Sequence, residues 1–192
     1  MPRPPGWSNP PERSEGMIAI VSFLAAVSAV SAMQKALDSD AEWTMERHLR
    51  GSTRTLVSSG TVECHRNRGI VWRVREPFGS SVEMTTNAMI FTDEDGRRVK
   101  PLAELPHYED FRLATEAFAA GSTNAFDGAL TVEEENFADG GWKVRFTPRI
   151  AAMRQLVKSV EVTGAALPTN AVLDCGDGGV SVIRFKEKSG VR

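Results

Sequence analysis

Past residue 40 the chain alternates apolar and polar residues with a period of two, in short runs set off by turn residues, and this constrains its fold more than any other feature of the 192 residues. Successive strand residues point to opposite faces, so alternation marks strands with one wet side and one dry side. The runs are Trp43 to Arg50, Leu56 to His65, Ile70 to Arg75, Ser81 to Thr86, Met89 to Thr92, Ala129 to Glu135, Trp142 to Thr147, Ser159 to Thr163, Ala171 to Asp174 and Val180 to Lys186. They predict nine or ten short strands. Between them stand Arg68-Gly69, Pro77-Phe78-Gly79, Asp93-Glu94-Asp95-Gly96, Asp139-Gly140-Gly141 and Gly176-Asp177-Gly178-Gly179, whose residue types suit hairpin turns. In Trp142-Lys143-Val144-Arg145-Phe146 the apolar and cationic side chains separate onto opposite faces, so one face is buried. Val180 and Val182, beside Ile183 and Phe185, repeat the theme less cleanly.

Helical spacing interrupts this pattern in a few places. Phe111, Ala114, Ala117 and Phe118 recur every three or four residues over 108–120, after Pro106 and before Gly121, which predicts a short amphipathic helix. A second is expected from Pro148-Arg149-Ile150 to Val157, with Met153, Leu156 and Val157 on one side, and Ala32 to Asp38 is a third candidate. The fold class is therefore mainly β with small helices, and those helices must cover the apolar face of the sheet if it is to leave water.

The N-terminus has a different character. Residues 1–16 hold Pro2, Pro4, Pro5, Pro10 and Pro11, which preclude a continuous helix, and with little to bury the segment is expected to be disordered. After Met17 an uncharged run, Ile18 to Val30, leads to the small residues Val30-Ser31-Ala32 and then to Gln34-Lys35, the order of a signal peptide. A bilayer span needs about 20 apolar residues, more than this run supplies. A buried N-terminal helix is the alternative; Glu12 and Glu15 dilute the basic n-region, Ala26 or Ala29 are other cut sites, and Met17 is another start. No Cys follows the run, so nothing suggests lipidation of the protein's own N-terminus. The expected division is a disordered prefix and signal peptide over 1–32, and one exported domain over 33–192.

Several chemistries lack their residues. A net charge of −2 argues against a nucleic-acid polyanion as the main partner. Cys64 and Cys175 have no CxxC spacing; in an oxidising compartment they either pair or remain two buried thiols. His48, His65 and His107 have no companion at metal-ligand spacing, which favours surface or packing roles. No GxSxG elbow, HExxH helix, Walker loop or GxGxxG turn occurs. Glu133, Glu134 and Glu135 are consecutive on a strand and cannot share one face, which reads as a solvated edge rather than an acid/base pair. The expectation is a protein that is not an enzyme and takes no cofactor or metal. Arg66, just before the Arg68-Gly69 turn into Ile70-Val71-Trp72, is either an exposed turn arginine or a guanidinium inside a sheet cavity; the latter needs several acceptors, such as unsatisfied carbonyls at helix ends.

The run Ser59-Gly60-Thr61-Val62-Glu63-Cys64-His65-Arg66, followed by Trp72, Pro77 and a strand ending near Asn87-Ala88-Met89-Ile90-Phe91, resembles the LolA family of periplasmic outer-membrane lipoprotein carriers in its broader, LolA-related branch. Gly141-Trp142-Lys143-Val144-Arg145-Phe146-Thr147-Pro148-Arg149 and then Ser159-Val160-Glu161-Val162 are similar to that branch too, and the resemblance covers roughly residues 40–186. There are departures: Asn67 stands where the family has proline, Trp43-Thr44-Met45-Glu46 where a Phe and a Gln are usual, and the short end after Phe185 lacks the C-terminal extension of some carriers.

The resemblance implies an incomplete antiparallel β-barrel with a helical lid over an apolar cavity, and carriage of a lipoprotein or other lipidated molecule through the periplasm towards the outer membrane. The alternative is a glycolipid or lipid-precursor binding protein of envelope assembly that does not shuttle. By position Arg66 matches the family arginine that hydrogen-bonds lid-helix carbonyls in the closed form. Candidates for cargo contact are Trp43, Val62, Trp72, Met84, Phe91, Phe111, Phe118, Trp142 and Phe146, any of which core packing would also explain. The implied partners are the acylated lipoprotein or glycolipid cargo, an inner-membrane releasing complex and an outer-membrane acceptor; the carrier itself is expected to be monomeric.

Overall fold

Eleven strands carry the alternation: β1 (Asp40–His48), β2 (Thr55–His65), β3 (Gly69–Glu76), β4 (Ser80–Met84), β5 (Ala88–Asp93), β6 (Gly96–Pro101), β7 (Leu130–Asn136), β8 (Trp142–Pro148), β9 (Val157–Gly164), β10 (Pro168–Cys175) and β11 (Val180–Glu187). The computed structural model describes residues 40–65, 69–85, 87–104, 130–149 and 151–187. Every neighbour pair is antiparallel, in a single sheet of order β6-β5-β4-β3-β2-β1-β11-β10-β9-β8-β7. β1 therefore sits at the centre, zipped to β11 from Ala41↔Glu187 to His48↔Val180. The edges are β6 and β7, consecutive in sequence and not paired with each other, so this is an incomplete barrel. The expected helix over 108–120, the leader within 1–32, the candidate helix from Ala32 to Asp38 and the Arg66 turn lie outside the described residues.

Register puts the apolar residues on one side. One row runs Phe91, Val82, Trp72, Val62, Ala41 across β5 to β1. Another runs Met45, Ile183, Ala171, Val162, Val144 from β1 through β11, β10 and β9 to β8. Of these, Phe91, Val82, Trp72, Ile183, Ala171, Val162 and Val144 are buried. The opposite side carries ion pairs: Arg184–Glu46 at 2.6 Å, Arg75–Glu42 at 3.2 Å, Arg73–Glu63 at 3.4 Å and Lys143–Glu135 at 2.5 Å. Such exposed pairs contribute about 0–1 kcal/mol each, so they mark the wet face more than they hold it. Stability comes from the dry one.

Two tryptophans shape that face by covering glycines. Trp43 stands opposite Gly60, where β2 and β3 slip register by a bulge, and a Cβ on Gly60 would sit 1.8 Å from the Arg73 carbonyl oxygen and 2.8 Å from Trp43 Cζ2. Trp142 repeats the device on Gly164, whose Cβ would lie 2.7 Å from Trp142 Cζ2 and 2.4 Å from the Leu167 carbonyl oxygen, next to the irregular β9–β10 pairing at Pro168. A bulge bends its strand and raises its twist, and a large ring restores the packing that glycine lacks.

Three sequence expectations need correction. β6 was not foreseen: all six of its residues are exposed, and an edge strand wet on both sides shows no apolar alternation. The helix after β8, α1 (Ala151–Leu156), stops one residue short of the expected Val157, which instead opens β9 buried, while Leu156 is 51% exposed. Gly176 N donates to the Leu156 carbonyl oxygen at 2.9 Å and Val157 pairs with Cys175, so docking on the β10–β11 hairpin ends the helix there. In β11 the buried parity is Ser181 and Ile183, with Phe185 following, rather than Val180 and Val182.

Replacing Gly60 by Ala is expected to destabilise the protein by about 3 kcal/mol, because the added methyl meets backbone that cannot give way. Urea denaturation checks this against Gly79→Ala, where nothing lies within 4 Å. The control should stay within about 0.5 kcal/mol of wild type. Equal midpoints for the two variants would contradict the role given to Gly60.

Candidate functional site

A sheet with one largely apolar face offers that face as its candidate site. Of the residues expected to touch cargo, Trp43, Trp72, Phe91, Trp142 and Phe146 are buried there. Val62 stands between Ala41 and Trp72 in the same row and is part-buried. Met84 occupies the position between Ile70 and Met89. Phe111, Phe118 and Arg66 fall outside the described residues.

The aromatic centre is tight. Trp43 and Trp72 stack with ring centroids 4.8 Å apart and planes inclined by 26°, although β2 lies between their strands. The absence of a side chain at Gly60 lets the rings meet above β2. Phe185 adds an edge contact to Trp72 at 6.3 Å. Aromatic contacts of this kind contribute about 0.5–1.5 kcal/mol beyond area burial. Phe185 was not among the expected site residues, yet its parity with Ile183 on β11 would have found it. Trp142 and Phe146 sit on β8, on the other half of the sheet, and Trp142 Nε1 donates to the Ala165 carbonyl oxygen at 2.5 Å.

Polar atoms interrupt this apolar side along β1. Trp43 Nε1, Arg47 Nε and Ser58 Oγ are buried with no hydrogen-bond partner among the described residues. Trp43, Met45 and Arg47 share strand parity, and Ser58 pairs with Met45, so Ser58 lies between the other two groups. Opposite Arg47 on β11 is Ser181, fully buried, whose hydroxyl lies 3.9 Å from Cys175 Sγ. Leaving a buried donor unpaired costs about 1–3 kcal/mol, so three in one neighbourhood is a feature to be explained. Sequence reading missed this strip, because Arg47 and Ser58 become neighbours only through the β1–β2 register.

Arg47 also reaches outward. Its Nη2 donates to Asp177 Oδ2 at 2.7 Å, in the β10–β11 turn, where Asp177 Oδ1 accepts from Gly179 N at 2.8 Å. The Gly179 hydrogen bond, then Arg47, hold the Asp177 carboxyl below the usual carboxylate range. Cys175 is a free buried thiol, and burial pushes its pKa up, while the side chain of Cys64 lies outside what is described. His48 is exposed and shares a 3.1 Å hydrogen bond with Thr55.

The acidic run behaves as an edge. Glu133, Glu134 and Glu135 are exposed on β7 and, with Lys143, Arg145 and Glu161, line an open depression of about 370 Å³. Its polar lining does not suit an acyl chain. The Glu135 hydrogen bond and charge raise the Lys143 pKa. Among the described residues no group of three His, Cys, Asp or Glu side chains is placed to hold a metal ion, and no helix is long and apolar enough to cross a membrane.

No family model matches the chain, and no curated protein does. Among solved structures, a LolA superfamily protein from Nitrosomonas europaea is similar, 12% identical over 91% of this chain and 94% of that one, with a TM-score of 0.44. LprF from Mycobacterium bovis is similar at 12% identity over 93% of this chain and 95% of its own, with a TM-score of 0.36. A chain of the MucA/MucB complex of Pseudomonas aeruginosa is similar at 12% identity, over 88% of this chain and 56% of that chain, with a TM-score of 0.40.

The Asp177 carboxyl titrates lower in the folded protein than in the unfolded one, so its stabilisation is complete above the ordinary carboxylate pKa of about 3.9 and is lost as pH falls through the lower folded value. Asp177→Asn is therefore expected to lower the thermal midpoint at neutral pH and to narrow its gap to wild type as pH drops below about 4. Midpoints measured across the acid range check this; a gap that does not shrink with acid would contradict it.

Proposed function

We propose that this protein is a periplasmic carrier that takes the acyl chains of a lipoprotein, or of another lipidated molecule, against the apolar side of its sheet and moves it towards the outer membrane. One observation carries the reading. The apolar side runs across an unclosed sheet of eleven strands and gathers the rings of Trp43, Trp72, Phe91, Trp142 and Phe146. Because the sheet does not close on itself, that face can part from what covers it and take an acyl chain in its place. Each methylene buried contributes about 0.8 kcal/mol, so a single chain supplies enough to offset the loss of a few closing contacts.

In this reading Trp43, Val62, Trp72, Phe91, Trp142 and Phe146 line the bed for the chains. Met84, Phe111 and Phe118 extend it, and Arg66 biases the closed state by bonding helix-end carbonyls. Export through the segment within 1–32 delivers a monomeric protein to the compartment where an inner-membrane complex loads it and an outer-membrane acceptor relieves it. No catalytic step is assigned to it.

Protein purified without added lipid should release acyl-containing molecules on denaturation, detected by mass spectrometry, and should light up the apolar dye N-phenylnaphthylamine. Neither signal would end the carrier reading. Transfer of a loaded lipoprotein from donor to acceptor vesicles separates a shuttle from a glycolipid-binding module that stays in place, since only the shuttle moves cargo. Arg66→Leu is expected to raise dye access several-fold; unchanged access would remove Arg66 from the gate.

A further inference from the structure

We propose that the strip of donors formed by Trp43, Ser58 and Arg47 is the seat of the oxygen-bearing head of an acyl chain, its carboxylate or ester carbonyl. The inference rests on the acyl-carrier reading and adds to it a polar anchor that fixes where the chain begins. Trp43 Nε1, Ser58 Oγ and Arg47 Nε are all able to donate, all buried, and all without a partner among the described residues. Their residues follow one another along β1 and β2 on one face of the sheet, since Ser58 pairs with Met45, which stands between Trp43 and Arg47 in β1.

The position of the indole supports this arrangement. Trp43 Cζ2 covers Gly60, and Nε1 shares a bonded neighbour with that carbon, so the N–H lies above β2, the strand that carries Ser58. Trp43 is 2% exposed, which rules out bulk water as its usual acceptor. By contrast Trp142, in the equivalent place over Gly164, has its acceptor in the Ala165 carbonyl oxygen. The same packing device thus occurs twice, once satisfied and once left open.

The missing group must bring acceptors and no donors of its own, which describes carbonyl and carboxylate oxygens. Its apolar remainder would continue along Trp72, Val82 and Phe91 in the neighbouring row. Arg47 contributes a positive charge at the far end of the strip, shared with Asp177 outside it, so a carboxylate gains more than an ester. When the face is closed and empty the donors lack partners, and cargo that supplies them is favoured over a bare hydrocarbon of equal length.

The test uses the full-length protein and displacement of N-phenylnaphthylamine by dodecanoate and by methyl dodecanoate. Trp43→Phe keeps the ring over Gly60 and removes the N–H; Ser58→Ala removes only the hydroxyl. Each is expected to weaken dodecanoate about tenfold, the size of effect one hydrogen bond to a charged group gives, and Ser58→Ala, which lies outside the bed of rings, is expected to keep dye affinity within about twofold. Because no bond is lost in the empty protein, Ser58→Ala should leave its thermal midpoint unchanged or higher. Weakening of both ligands assigns the seat to a carbonyl oxygen common to acid and ester; weakening of dodecanoate alone assigns it to the free carboxylate, and either supports the proposal. Displacement midpoints equal to wild type for both ligands overturn it while leaving the carrier reading intact. A wild-type protein that takes up no dye overturns both.

Discussion

The packing of an indole over a glycine at a strand irregularity is the interaction on which the rest of this structure depends. A Cβ at Gly60 would strike both the Trp43 ring and the Arg73 backbone, and one at Gly164 both the Trp142 ring and the Leu167 backbone. A bulge without the ring would leave a void; the ring without the glycine would not fit. Together they bend the sheet and seal its inner side in one step. From this follows the stack of Trp43 on Trp72, which joins strands that do not pair.

The topology gives that bending its consequence. With β1 and β11 married in the centre, the two halves of the chain spread outward as meanders and leave β6 and β7 as edges. Both edges are guarded by charge: Arg97, Arg98 and Lys100 on one, Glu133, Glu134 and Glu135 on the other. Charged edges discourage pairing with further strands, which suits a sheet that stays open. An open sheet can separate its faces by chemistry, ion pairs outside and aromatic rings inside, and still admit a guest that a closed, filled barrel would exclude.

Polar atoms on the dry side carry information because they are costly there. The outer carboxylates and guanidinia find one another across the strands and need no further explanation. The three donors along β1 and β2 have no such account within the fold. Arg47 illustrates the difference within one residue, since Nη2 is spent on Asp177 while Nε is buried and unpaired.

By itself the sequence determined that the chain is antiparallel sheet, where its hairpins fall and which residues of the clean strands point inward. Period-two alternation is local, and Trp142-Lys143-Val144-Arg145-Phe146 declares its buried face without knowledge of any partner. It also showed the acidic run as an edge, because consecutive strand residues cannot converge. It missed β6, which is wet on both sides, and misread the parity of β11, where Val180 and Val182 compete with Ile183 and Phe185 as apolar residues. Only tertiary structure decided these, together with the halt of α1 before Val157 and the meeting of Trp43, Ser58 and Arg47, since all depend on which strand lies alongside and in what register. Register is a long-range property: a shift of one residue would send every side chain to the other face, and nothing local to a single strand can specify it.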